Sequence, residues 1–302
     1  QDICYLHLQI YYMTNAKLEF EAIGTHWKID LYQDQFPSNL VNTIKQTVTN
    51  FESTYSRFID SSLISQMSKQ KGEYQLDTDG VVMINLYQML NRITAGSFSP
   101  TIGQLLNQSG YDSAYSFRSN KLTKMPTMDS VLKFTLPNTL TVLNPCQLDF
   151  GGVGKGHLVD VISNLISRSG IKSYCVDAGG DMYYQHQDHH SLQVGLEHPL
   201  NPDQVIGTIA LTDQALAASS GNRRAWGKFH HIIHPDTLSS PNHILATWVI
   251  SSQTILADAL ATCLFLTSPE QLTPHFDFNY LILYSNLTFT KSDEFDAKIF
   301  ID

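Results

Sequence analysis

The stretch from Leu148 to Asp160, LDFGGVGKGHLVD, constrains this chain more than any other, because it packs an acid, four glycines and a lysine into one short connection. Leu148-Asp149-Phe150 reads as the end of a strand, and His157-Leu158-Val159 as the opening of a helix. Between them the glycines at 151, 152, 154 and 156 free the backbone to bring N–H and C=O groups against a ligand. Lys155 adds a point charge, so the connection suits an anion. A tight strand-to-helix turn whose glycines only satisfy backbone geometry explains the same letters. Neither G-x-x-x-x-G-K-[ST] nor G-x-G-x-x-G can be laid on it, so a P-loop or a dinucleotide Rossmann site is not supported.

A chain of 302 residues with 42% hydrophobic and 16% charged content can bury one large core or two lobes. The formal net charge of −9 and the absence of a basic stripe argue against nucleic acid as a partner. An anionic cofactor therefore needs a local cluster of positive charge or a metal ion. Cys4, Cys146, Cys175 and Cys263 show no C-x-x-C spacing and read as packed thiols. No run is long and apolar enough for an integral membrane segment, and residues 1–12 lack the layout of a signal peptide. The expected unit is a single domain over 13–302, starting at Met13, with 1–12 as an N-terminal extension.

Several segments have a readable local form. Phe20 to Tyr32 reads as a strand entered through a turn at Gly24-Thr25, with Trp27 inside. Leu40, Val41, Ile44, Val48 and Phe51 put an amphipathic helix over Pro37 to Phe51, with Ser38 or Asn39 as its cap, and Val81 to Arg92 reads as a second. Pro100-Thr101 starts a helix that turns Leu105 and Leu106 to the core. Residues 113–138 read as a polar surface excursion, with strand-like pieces around Phe134 and Leu140–Leu143. Ser173 to Asp181 reads as a strand ending in the paired glycines 179 and 180, which is good hairpin chemistry. Asp188-His189-His190 has a metal-cluster look, but polar surroundings and the lack of helical spacing make it a solvated loop tip. Thr208 to Leu211 is a short strand, and pieces around Tyr280–Tyr284 and Ile299–Ile301 are structural. Mixed helices and alternating strands without a βαβ rhythm give an α+β fold.

Thr254 to Thr262 reads as a helix in which Asp258 and Thr262, four apart, share a face. Two oxygen ligands at that spacing suit a hard cation; a helix acid beside a back-bonded threonine accounts for them equally well.

Taken in order, these segments resemble the ApbE family, the FAD:protein FMN transferases, over about residues 20 to 290. Gly24, Thr25 and Trp27 match M-G-T-x-[WY], with Ile23 where methionine is usual; Tyr55 to Ser62 matches S-R-F-x-x-D-S. Ala95 to Gly103 is similar to G-x-F-D-P-T-[IV]-G, with Ser99 in place of the acid, and Gly110-Tyr111-Asp112 to its G-Y-D ending. The Leu148–Gly156 connection resembles D-[FL]-[GS]-G-[IV]-[AG]-K-G, and Ala178 to Asp181 the x-G-G-D block. Ala215 to Arg224 resembles A-[TS]-S-G-x-[YR]-x-R. Phe229 to Thr237 resembles H-H-I-[IM]-[DN]-P-x-T, with His234 where the acid is expected, and Thr254–Thr262 carries A-D-A-[LM]-[AS]-T intact.

The resemblance implies an α+β fold of mixed and antiparallel sheets with helices, in two lobes around an FAD site. It implies FAD contacts at Thr25, Ser56, Arg57, Phe58, Ser97, Phe98, Ser99, Thr101, Asp149, Lys155, Gly179, Gly180, Asp181, Ser220, Gly221 and Ile233, with Arg223 or Arg224 adding charge. Asp149 would orient the cofactor. Mg²⁺ would be held by Asp258, Thr262 and the Gly152 carbonyl, making Asp258 catalytic together with His231, a base near neutral pH. The implied reaction attaches FMN from FAD through a phosphodiester to a threonine of an acceptor flavoprotein carrying a D-G-[AS]-T motif, releasing AMP. This chain has no such motif, which fits a modifier of another protein. Water as nucleophile would instead make an FAD diphosphatase giving FMN and AMP, and the departures at Ser99 and His234 leave a non-catalytic FAD-binding protein as a further reading. Family members usually act outside the cytoplasm; no export signal is visible in this chain, so a cytoplasmic location is equally open.

Overall fold

The computed structural model describes residues 16–33, 35–222 and 224–300. Cys4, the 1–12 extension, the Met13 start, Arg223 and the last residue of the expected Ile299–Ile301 strand lie outside them. Eight strands form one sheet in the spatial order Ala16–Ala22, Thr25–Leu31, Tyr174–Ala178, Met182–Gln185, Gln214–Ser220, Ile244–Ser251, Asn279–Tyr284 and Phe289–Lys291. Every neighbouring pair is antiparallel.

Both faces of the central strands are covered, and the two-residue period of the chain decides which side chain goes where. Ala215, Ala217, Val249 and Ile282 join the core on one face. Leu216, Trp248, Ile250, Leu281 and Leu283 join a second core on the other. Against the first face pack the helices Gly151–Arg168 and Thr254–Cys263, flanked by Leu40–Tyr55 and Thr78–Ile93. Against the second lies a three-stranded antiparallel sheet of Leu192–His198, Asn201–Leu211 and Ala297–Ile299, contributing Leu196, Ile206, Ile209 and Leu211. A smaller apolar cluster gathers Leu105, Leu106, Tyr111, Met125, Trp226, Phe229 and Ile233. The architecture is the expected mixture of helices and antiparallel sheets. Among the described residues no helix is long and apolar enough to cross a membrane.

Two expected turns are present. Ile23 and Gly24 have φ of 44° and 73° and close a hairpin in which Ala22 pairs with Thr25. Gly179 and Gly180, at φ of 68° and 103°, close the hairpin after Tyr174–Ala178, and the Gly180 N–H donates to Asp177 Oδ1 at 2.9 Å. The first helix runs from Leu40 to Tyr55, with Asn39 at its N-cap but no side-chain capping bond. The 113–138 segment is less superficial than its polarity suggests, since Met125, Met128 and Val131 are buried.

The Leu148–Asp160 connection takes a different form from the expected one. Leu148-Asp149-Phe150 is not a strand, and the helix begins at Gly151 and runs through all the glycines, not from His157. At Gly156 the reason is close helix–helix approach, and at Gly152 it is the Phe98 ring. A Cβ on Gly156 would lie 2.4 Å from the Thr254 carbonyl oxygen and 2.8 Å from Asp258 Cβ, and one on Gly152 3.0 Å from the Phe98 ring. Glycine inside a helix costs about 1 kcal/mol relative to alanine, and here that cost is offset by contact no larger residue permits.

Two carboxylates fasten the pair of helices reciprocally. Asp258 accepts from the Gly156 N–H at 2.9 Å, and Asp160 accepts from the N–H groups of Thr254 and Ile255 at 2.8 and 2.9 Å, satisfying the orphan donors at the start of the second helix. Gly156→Ala should destabilise the protein by roughly 1–3 kcal/mol through overpacking. Gly154→Ala, whose Cβ would meet only the Phe51 ring at 3.7 Å, should be neutral or stabilising by up to about 1 kcal/mol. Urea unfolding of the two variants beside the parent protein separates these outcomes.

Candidate active site

A cavity of about 550 Å³ opens between the Gly151–Arg168 helix, the hairpin turn at Ile23-Gly24, and the segments after Tyr55 and Ser97. All three apolar clusters contribute to its wall, among them Tyr87, Trp248 and Ile233. Of the residues predicted for the site, Thr25, Ser56, Arg57, Phe58, Ser97, Phe98, Ser99, Asp149, Gly152, Lys155, Gly179, Ser220, His231, Ile233, Asp258 and Thr262 line it.

Thr101, Gly180, Asp181 and Gly221 do not line the cavity. Thr101 is fully buried, its hydroxyl 2.8 Å from that of Ser99 and donating to the Pro126 carbonyl at 3.0 Å, so it holds the loop together. Gly180 makes the hairpin described above. Gly221 lies against the His230 ring, which a Cβ would approach to 3.1 Å. Asp181 sits directly behind the wall, 1% exposed, and forms an ion pair with Lys155.

The charge centre of the cavity is Lys155 between two buried acids. Its Nζ contacts Asp181 and lies 3.3 Å from Asp258 Oδ1. Burial works against the Lys155 ammonium, but Asp181 and Asp258 overcome it and raise its pKa above the usual lysine value. The Asp258 carboxyl is pushed up to about 7, chiefly by burial and next by Asp181, with Lys155 and the Gly156 N–H acting in the opposite sense. Two carboxylates thus share one ammonium. Gly152, one turn before Gly156 in the helix, also lines the cavity, and the Gly156 N–H donates to Asp258 Oδ2 at 2.9 Å. Thr262 follows one turn along, its hydroxyl 3.3 Å from that of Ser219.

This oxygen set, with one positive charge too few, fits a small hard dication such as Mg²⁺.

Arg57 and Asp149 form the opposite wall. Arg57 Nε donates to Asp149 Oδ2 at 2.5 Å and a terminal nitrogen to the Tyr111 carbonyl at 2.6 Å, while its guanidinium stacks 4.2 Å from the Phe58 ring centroid. The other Asp149 oxygen accepts from the Gly151 N–H at 2.6 Å. Asp149 therefore anchors Arg57 and caps the long helix, and its two oxygens already have protein donors where a cofactor contact was expected. Asp60, further along the same segment, pairs with Lys69 at 2.8 Å.

His231 faces the cavity with a buried Nδ1 that has no hydrogen-bond partner among the described residues. Its pKa is pushed down to about 3 by burial first, then by the charge of Arg224 and, further down the order, Lys155. At neutral pH it is a neutral imidazole, not a base poised near neutrality. Arg224 is anchored through a bond to the Gly24 carbonyl at 3.0 Å.

Both departures from the expected acids keep the local backbone bonded. Ser99 accepts from the Thr101 N–H at 3.2 Å, an N-cap role that serine and aspartate share. His234 Nδ1 accepts from the Asp236 N–H at 3.2 Å, and the residue lies outside the lining. Sequence reading missed Tyr87, Tyr115, Glu197, Pro199 and Trp248, all in the wall. Glu197 and Pro199 come from the second sheet, in a stretch without motif. Tyr115 sits at φ 48°, a conformation its sequence does not announce.

The unfolded chain binds a proton at His231 below pH 6.5 that the native protein refuses until about pH 3, so stability falls as pH drops through that window. At pH 5 this amounts to roughly 2 kcal/mol, from about 1.5 pH units at 1.36 kcal/mol each. His231→Gln should flatten this acid limb in urea titrations at pH 7.5 and 5, and an unchanged slope would contradict the burial of the imidazole.

The family model described as "ApbE family" matches residues 23–277. Among curated proteins, an FAD:protein FMN transferase of Buchnera aphidicola is 22% identical over 271 residues, covering 83% of this chain and 80% of that protein. One of Treponema pallidum is 24% identical over 287 residues, covering 83% of this chain and 78% of that protein. The crystal structure of the ApbE protein of Thermotoga maritima superposes with a TM-score of 0.82 at 22% identity, covering 93% of this chain and 97% of the other.

Proposed function

The chain belongs to the ApbE family, and on that premise we propose that it is a transferase moving the FMN half of FAD onto a protein acceptor. The observation that carries this reading is a cavity lined by Lys155, Asp258, Thr262 and Gly152 together with aromatic side chains. A flavin dinucleotide has the complementary form: planar rings joined by a diphosphate.

The cavity's cations bind the diphosphate. Lys155 and Arg224 line the cavity, and their positive charge bears on the neighbouring His231. Asp258, Thr262 and the Gly152 carbonyl would hold Mg²⁺, which when bound neutralises charge on the diphosphate and its leaving oxygen. The aromatic wall of Phe58, Tyr87, Phe98 and Tyr111 excludes water and offers ring faces for stacking.

His231 is the proton acceptor. Burial is the first cause of its lowered pKa, and an anionic diphosphate beside Arg224 and Lys155 would offset only the part those two charges add. His231 takes the proton of the acceptor threonine as the threonine oxygen bonds to the FMN-side phosphorus. The bond from that phosphorus to the bridging oxygen breaks, and AMP leaves. The acceptor carries its threonine in a D-G-[AS]-T context.

Incubation with FAD, Mg²⁺ and a flavoprotein domain bearing D-G-A-T should give an acceptor band that is covalently fluorescent in a denaturing gel, and Asp258→Ala should lose at least about 100-fold of that rate. Free FMN and AMP without a labelled band would indicate hydrolysis. Tight FAD binding with no turnover would indicate a binding protein, and full activity of Asp258→Ala would sink the metal assignment.

A further inference from the structure

At the end of strand Met182–Gln185 away from the Gly179-Gly180 turn, the chain passes through His186, Gln187, Asp188, His189 and His190. Read as sequence, the last three form a solvated loop tip. In the fold, His186 joins them. One donor atom each from His186, Asp188 and His190 lie within 4.8 Å of one another. We propose that these three residues form a second metal site, separate from the active site, that takes zinc or another late first-row divalent ion.

The loop is built, not loose. Asp213, in the turn between the adjoining strands, accepts from the His186 N–H at 2.8 Å through one oxygen and bonds His189 Nδ1 through the other. Ser173 accepts from the Gln187 N–H at 3.0 Å, and the His189 N–H closes a turn onto the His186 carbonyl at 2.9 Å. These bonds hold His189 against Asp213, and within the loop the Asp188 N–H donates to His186 Nδ1 at 3.2 Å.

His186 is 6% exposed, and Tyr32 packs edge-on to its ring with centroids 5.9 Å apart. The His190 ring stacks on it at 4.8 Å. Asp188 and His190 are exposed. Donors around a tetrahedral zinc stand about 3.4 Å apart, so the closure needed is about 1 Å. Two imidazoles and a carboxylate suit zinc, whereas an all-oxygen cage would suit magnesium. The cavity beside the cluster carries the carboxylates of Asp188 and Asp213 against the ammonium of Lys172, which favours a cation. Three protein ligands leave the remaining coordination position to water.

Zinc uptake by the full chain, measured by calorimetry and equilibrium dialysis with millimolar Mg²⁺ present, tests the site. The parent protein should bind one zinc that survives in Asp258→Ala. Asp188→Asn and His190→Ala, at exposed positions that leave the fold intact, should each lose it, and Asp213→Asn should weaken it about 10- to 100-fold through ligand orientation. Co²⁺ in place of zinc should give a visible absorption band that His190→Ala lacks. No zinc uptake by the parent protein, or uptake unchanged in His190→Ala, overturns the proposal. So does a zinc that is lost in Asp258→Ala but kept in His190→Ala.

Discussion

The contact between Gly156 and Asp258 is the constraint from which the rest of the structure follows. A carboxylate that is 3% exposed needs donors within reach, and the fold supplies a backbone N–H and the Lys155 ammonium from the facing helix. That geometry exists only because the residue opposite has no side chain. The same approach lets Asp160 cap the second helix, so the helices are locked at two points by acids exchanged in opposite directions. Burying ion pairs is seldom worth much as a source of stability, and removing one partner leaves a stranded charge. Two acids against one lysine are therefore better explained by what the cluster holds than by what it adds to folding.

The opposite wall uses the same logic with different residues. Arg57 is pinned by Asp149 and by the Tyr111 carbonyl, and it lies over Phe58. A positive charge and an aromatic surface are thus fixed before any ligand arrives, and Asp149 ties this wall to the start of the helix that carries Lys155. Pre-positioning of this kind lowers the ordering cost of binding any ligand that fills the cavity.

What the sequence made legible was local. The i, i+4 relation of Asp258 and Thr262 and the paired glycines at 179 and 180 need only a helix and a hairpin, so chain periodicity and turn chemistry sufficed. The start of the Gly151–Arg168 helix was illegible because glycine signals a turn, and the reason for glycine there is a helix elsewhere in the chain. Thr101 sat in a recognisable motif, yet its partners Ser99 and Pro126 claim its hydroxyl, and only packing reveals that. His186 stands four residues before His190 outside any helix, and its convergence with Asp188 depends on Asp213 from a different hairpin.

The two missing acids bear on what the cavity can hold. An aspartate at position 99 would cap the Pro100–Ile102 turn and add negative charge to the lining; Ser99 caps the same turn without the charge. The residue at 234 lies outside the lining, and its imidazole accepts from the Asp236 N–H as a short polar side chain would. Serine at 99 keeps the backbone bond and puts a neutral group where an acid would add negative charge to the lining, and it leaves the contact of Lys155 with Asp258 as it is.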